Sequence, residues 1–209
     1  MRWQTLYEGR WVFLILFVLI LLAGWIHPWI AAVPIALFLF TISFFRDPDR
    51  VAPTDPKAIL APADGVVSAI ETLEETEVLN RPAQRIAIFL SVFNVHTNRA
   101  PVTGRVTYLK HHPGDYLDAR DPECSKRNEA QTWAFENPAG TFVVRQITGA
   151  IARRIVPWSK LGDTLQPGER FGMIRFGSRT EIYLPDGCTL AVKKGDTVKG
   201  GETIVAHLP

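Results

Sequence analysis

Cysteine is scarce in this chain: two residues, Cys124 and Cys188, lie 64 positions apart with no CxxC spacing and no adjacent histidine pair. That excludes a recognisable zinc site and a disulfide framework, and it fits a reducing, cytosolic setting. Runs of basic residues are missing as well. The 23 Lys and Arg nearly balance 21 Asp and Glu, for a net charge of +2, so nothing tracks a phosphate backbone and nucleic acid is not an expected partner. Repeats and low-complexity segments are absent. Charge itself is missing from Trp11 to Phe45, 35 residues in which His27 is the sole ionisable side chain.

That uncharged stretch divides the chain into two parts. A signal peptide has one apolar core of roughly 7–15 residues before a cleavage site, whereas here a second apolar run follows the first. The break falls at "GWIHPWI", where Gly24, His27 and Pro28 interrupt a helical pattern and Trp25 and Trp29 suit a membrane interface. Two short helices are expected, Trp11 to Trp25 and Ile30 to Phe45, each reaching about 24 Å at roughly 1.5 Å per residue. Residues 1–50 are thus expected to form a membrane-inserted hairpin that spans or dips into the bilayer. Arg2, Arg10, Arg46 and Arg50 flank it and assign both ends to the cytoplasmic face. "RDPDRVAPTDP" is too rich in Pro and Asp for regular structure and serves as a linker.

Residues 51–209 show short runs rich in β-branched residues, punctuated by Gly, Pro, Asp and Asn. "GVVSAIETL", "RIAIFLSVF", "GRVTYLK", "TFVVRQITG", "GMIRFGS", "TEIYLP" and "ETIVAHL" predict strands, and "GAIARRIVPW" is the best remaining helix candidate. The expected fold is mostly β, a sandwich or barrel-like domain. Its C-terminal "VKKGDTVKGGETIVAHL" has the strand-turn-strand shape of biotinyl and lipoyl carriers, but Lys193, Lys194 and Lys199 lack the flanking residues of a carrier lysine.

Three polar spots adjoin these strands. Asp64 in "PADGVV" alone is a turn aspartate; His96 in "FLSVFNVHTNRAP" alone is a strand-end histidine; Gly177-Ser178 alone is a tight turn. Together they supply an acid, an imidazole and a hydroxyl, the parts that activate a weak nucleophile. His111 and His112 in "HHPGD" are taken as structural, in a turn.

"PADG", "FNVHTNRAPVTG" and "RFGSR" occur in the order seen in the short form of the phosphatidylserine decarboxylase family, which this sequence resembles. "HHPGDYLDA", "QPGERFGMI" and the apolar hairpin extend the similarity. The resemblance implies a proenzyme that cuts itself between Gly177 and Ser178 into a large chain 1–177 and a small chain 178–209. Ser178 becomes a pyruvoyl group, the electron sink for decarboxylating phosphatidylserine to phosphatidylethanolamine, with no metal and no pyridoxal phosphate. A glycine at 177 allows close attack by the hydroxyl. By the same resemblance Asp64 orients or balances a base, His96 transfers protons, and Asn98, Arg99 and Arg179 bind the lipid carboxylate or phosphate. The long form of the family has two histidines in the segment of His96; Arg99 takes the second place here. The expected partners are the phospholipid and the membrane. "IVPWSKL", through Ile155, Val156, Trp158 and Leu161, offers either an interfacial patch or a core-facing segment. The choice of diacyl or ether lipid stays open, as does the oligomeric state, a homo-oligomer included.

Two other readings of the same residues stand beside it. One is a membrane-anchored serine hydrolase or protease using Ser178 with His96 or a lysine as base. The other is a non-enzymatic lipoyl-like membrane adaptor. Both leave the chain in one piece.

Overall fold

The computed structural model describes residues 3–151, 154–175 and 177–209. The chain divides into two compact units, Met1–Asp49 and Arg50–Pro209.

In the first unit, helix α1 covers Trp3–Ile26 and helix α2 Ala32–Phe44. The Leu, Ile and Phe content of α1 sustains 24 residues, about 36 Å at ~1.5 Å per residue, enough to cross a membrane by length and composition. It is longer than expected because it begins eight residues earlier, at Trp3; Glu8 and Arg10 lie inside it, so the charge-free part still starts at Trp11. Pro34 is tolerated in α2 because it sits in the first turn, where no intrahelical N–H bond is lost. The two helices pack through Phe13, whose ring lies 5.6 Å from Phe38 and 5.8 Å from Phe45. Leu14, Ile15, Phe17, Leu21 and Leu22 remain exposed. Arg2, one of the flanking arginines, lies outside the described residues.

The second unit is almost entirely β. Strands β1 (Ala58–Leu60), β2 (Gly65–Glu75), β3 (Arg81–Leu90), β4 (Thr97–Arg99) and β5 (Gly104–His112) precede a short helix, α3 (Cys124–Arg127). After it come β6 (Ala130–Asn137), β7 (Gly140–Thr148), β8 (Arg154–Pro157), β9 (Thr164–Leu165) and β10 (Arg170–Arg175). The chain finishes with β11 (Ser178–Leu184), β12 (Thr189–Leu190), β13 (Thr197–Val198) and β14 (Ile204–His207). Eight strands form one antiparallel sheet, β13-β2-β3-β11-β7-β6-β5-β9, curled into a half-barrel. Two three-stranded sheets, β1-β14-β12 and β4-β10-β8, accompany it.

The strands alternate as a pleated chain must. Ile86, Ile88 and Leu90 of β3, Phe142 and Val144 of β7 and Ile182 and Leu184 of β11 enter one core. Trp133, Phe135 and Phe171 meet there with ring centroids 4.9–6.4 Å apart. The opposite face of β11 is also buried but polar. Glu181, fully enclosed, lies 3.0 Å from both Arg85 and Arg179 and accepts bonds from Ser125 Oγ (2.7 Å) and the Tyr183 hydroxyl (2.9 Å).

Four expectations need correction. "GAIARRIVPW" is not a helix where it is described: residues 154–157 form β8, because Ile155 and Val156 pair with Ile174 and Met173 of β10, while Ala152 and Arg153 lie outside the described residues. The same pairing buries Ile155 and Val156, so they form no interfacial patch; Leu161 is exposed. His111 and His112 end β5 instead of forming a turn, being paired with Gln131 and Ala130 of β6. Arg50 is no loose flanking charge, since it bonds Asp64 at 2.8 Å and Glu202 at 2.9 Å within the second unit.

Glu181→Ala strands the buried Arg179 guanidinium and leaves Arg85 with the Glu71 carboxylate alone, and chemical denaturation of the detergent-solubilised protein is expected to show a loss of about 3–5 kcal/mol.

Candidate active site

Ser178 opens β11 at the middle of the large sheet, opposite Leu90 of β3 and Thr148 of β7. The residue before it, Gly177, has φ +53°, a left-handed turn that a glycine adopts without strain. Ser178 is fully buried and its hydroxyl has no hydrogen-bond partner among the described residues. A buried hydroxyl left unbonded costs stability and marks a place where function opposes it.

His96 reaches this point from a loop. A tight turn, Ser91–Asn94, ends β3: Asn94 N–H donates to Ser91 O, and Asn94 Oδ1 accepts from Ser91 N–H (2.9 Å) and Ser91 Oγ (2.8 Å). The backbone carbonyl of Asn94 then lies 3.0 Å from His96 Nδ1, and the other ring nitrogen, Nε2, lies 3.1 Å from the amide of Gly177. An amide N–H only donates, so Nε2 carries the lone pair and Nδ1 the proton. The two bonds fix ring and tautomer in a fully buried position, with a basic nitrogen at the Gly177 amide, one peptide ahead of the Gly177–Ser178 bond.

A cavity of about 230 Å³ adjoins Gly177, lined largely by apolar groups including Leu90, Val92, Ala119 and Ala150. Arg120 stands at its edge, holding Asp118 with two bonds of 3.0 and 2.6 Å. Those bonds keep the Asp118 carboxyl at about 2, well below its ordinary value. The exposed side chain of Ile151 also lines it.

The sequence profile of the phosphatidylserine decarboxylase family matches residues 37–206. The chain belongs to the phosphatidylserine decarboxylase family. It is 46% identical over 202 residues to the phosphatidylserine decarboxylase proenzyme of Carboxydothermus hydrogenoformans, covering 96% of this chain and 95% of that one. The phosphatidylserine decarboxylase proenzyme of Geotalea uraniireducens is 44% identical over 194 residues, 92% of this chain and 91% of the relative.

Within this family member the other expected site residues take different places. Asp64 accepts from Arg50 Nη2 and from Gly200 N–H, both at 2.8 Å. Asn98 is buried in an amide chain: its Nδ2 donates to Thr180 Oγ1 and Pro62 O, its Oδ1 accepts from Gln146 Nε2 (2.6 Å), and Gln146 Oε1 accepts from the Trp133 indole (2.7 Å). Arg99 donates to Gly168 O at 3.0 Å. Arg179 falls on the opposite face of β11 from Ser178, against Glu181 and the Cys124 sulfur. Burial pushes the Cys124 thiol up, with Arg179 opposing. Asn98, Arg99 and Arg179 are thus buried and bonded within the protein, and none lines the cavity at Gly177.

Sequence reasoning missed the Asn94 carbonyl, Gln146 and Arg120. The spacing of Asn94 and His96 held a signal for the first, since a turn carbonyl two residues before a histidine can reach its Nδ1.

Gln146→Leu leaves the Trp133 indole and the Asn98 carbonyl without their partner, and a denaturation series is expected to register about 1–3 kcal/mol for each group left unpaired.

Proposed function

We propose that the chain decarboxylates phosphatidylserine to phosphatidylethanolamine after cutting itself between Gly177 and Ser178. The observation that carries this reading is the basic Nε2 of His96 bonded to the Gly177 amide, next in the chain to a buried Ser178 hydroxyl that has no partner among the described residues. The family is named for a decarboxylase, and its relatives are named proenzymes. Both facts favour this reading over the hydrolase and adaptor alternatives.

In the proposed cut, Ser178 Oγ bonds to the Gly177 carbonyl carbon as its proton passes to His96 Nε2, whose lone pair the Gly177 N–H gives up as that proton arrives. The C–N bond then breaks, the nitrogen takes a proton, and an ester links the two residues. Loss of the Ser178 Cα proton expels the Gly177 carboxylate and leaves a dehydroalanine. Water converts that residue to a ketone and releases ammonia; no oxidant or reductant is consumed. The resulting pyruvoyl group keeps the three carbons of residue 178, takes its ketone oxygen from water and carries no charge, which suits a fully buried strand end between Leu90 and Thr148 at an apolar cavity. It supplies the electron sink for decarboxylation that side chains lack.

The surrounding residues hold and orient. His96 is the group that moves protons at residue 178. Asp64, neutralised by Arg50 and tied to Gly200, steadies the turn in which Pro62 O accepts from the Arg99 amide and from Asn98 Nδ2. Through that turn it positions the strand that follows His96. The lipid head group enters the cavity beside Gly177, and Arg120, in place of Arg99, Asn98 and Arg179, is the group that meets its phosphate. Ile151, exposed at the same cavity, suits the apolar end of such a substrate. The hairpin α1–α2 seats the chain in the cell membrane with the β unit on the cytoplasmic side, as Arg10 and Arg46 suggest.

Denaturing mass spectrometry of the active protein is expected to find chains 1–177 and 178–209, the second with an N-terminus resistant to Edman degradation. Ser178→Ala is expected to remain one chain and to release no CO2. An active, uncut preparation would overturn the proposal. Arg120→Ala is expected to raise KM for phosphatidylserine about tenfold at unchanged kcat, the equivalent of ~1.4 kcal/mol; steady-state CO2 release checks this.

A further inference from the structure

Gly149, immediately after β7, has no side chain to bring to the site, yet its position is one of the most constrained near Ser178. A methyl group built on it would lie 2.5 Å from the carbonyl oxygen of Gly177, 3.3 Å from the carbonyl carbon and 3.2 Å from Ala119 Cβ. The first distance is closer than any real methyl contact. The backbone of Gly149 is not in the left-handed region, so its own conformation does not require glycine. What requires it is the carbonyl of the peptide that joins Gly177 to Ser178.

The geometry points to Gly149 as a positioning residue for self-cleavage: its bare Cα is the seat against which the Gly177 carbonyl rests while Ser178 Oγ attacks. This rests on the self-cleaving reading above and adds a residue to it. The scissile peptide is then held from three directions. Its N-terminal side is fixed by the bond from the Gly177 amide to His96 Nε2. Its C-terminal side is fixed by the register of Ser178 with Leu90 and Thr148. The carbonyl between them is fixed by Gly149. Attack needs the hydroxyl oxygen and the carbonyl carbon in near-contact along one direction, and a displacement of about 1 Å costs about a hundredfold in rate. A methyl at position 149 must force a movement of that order, because the atom it meets is backbone at the head of a central strand.

The same argument limits when Gly149 matters. After the cut, Gly177 ends in a free carboxylate no longer tethered to residue 178, so it can yield to an added methyl. Gly149 therefore governs formation of the ketone and not its later use.

The test follows chain cutting of the full-length protein over time, alongside thermal unfolding and CO2 release per mole of carbonyl formed. Gly149→Ala is expected to cut about a hundredfold more slowly than the unaltered protein. It is expected to accumulate no hydroxylamine-sensitive ester, and the fraction that does cut should release CO2 at the unaltered rate per carbonyl. Gly149→Ala/Ala119→Gly separates the carbonyl contact from general crowding, because it removes the Ala119 contact and leaves the Gly177 contact. It is expected to unfold near the temperature of the unaltered protein and still to cut slowly. Cutting of either variant at the unaltered rate overturns the inference, as does recovery of cutting in the double variant. If the unaltered protein itself does not cut, the self-cleaving reading fails instead.

Discussion

The site depends on one hydrogen bond, from the Gly177 amide to His96 Nε2, because it decides which imidazole nitrogen is basic and where that nitrogen sits. The bond is possible only because Nδ1 faces a fixed acceptor, the Asn94 carbonyl, at the end of a turn closed by its own side chain. Residues from two separate parts of the chain meet there: the turn after β3 and the start of β11. His96 O also accepts from the Ile174 amide, so β10 holds the histidine by its backbone as well.

β11 carries a different demand on each face. Toward the core, Ser178 and Thr180 stand above an amide chain through Asn98, Gln146 and Trp133. On the other face, Glu181 gathers two arginines and two hydroxyls beneath α3. Buried polar groups of this kind add little net stability, but when fully bonded they allow one arrangement and penalise the rest. The proposed attack of the Ser178 hydroxyl on the Gly177 carbonyl carbon, which tolerates little displacement, benefits from that selectivity.

Much of this was legible in the chain. The charge-free stretch and its break at His27-Pro28 gave the helical pair, and β-branched runs gave most of the strands. The order of Asp64, His96 and Gly177-Ser178 within their motifs gave the family. β6 went unseen because "AQTWAFEN" lacks β-branched density and owes its strand to pairing with β5 and β7, a long-range effect. "GAIARRIVPW" looked helical for the same reason in reverse. The place of Arg179 was readable: it is adjacent to Ser178 on a strand, and a period of two sends it to the other face. Asn98 and Arg99 were harder, because guanidinium and amide groups that serve a ligand or a carbonyl of the protein look alike in sequence. Gly149 could not have been singled out at all, since what makes it special is another backbone approaching from 28 positions away.

The sheet order carries a consequence for the two proposed pieces. β11 is interior, with β3 on one side and β7 on the other, while β14 lies between β1 and β12 and β13 extends the edge at β2. A break ahead of Ser178 severs one covalent link but none of these ladders. The fragment of 178–209 is thereby woven through the larger one and cannot depart without opening the sheet at its centre. Under the proposed cut the molecule is nicked but undivided, and the end at residue 178 is gripped by the same pairings that hold it in the uncut chain.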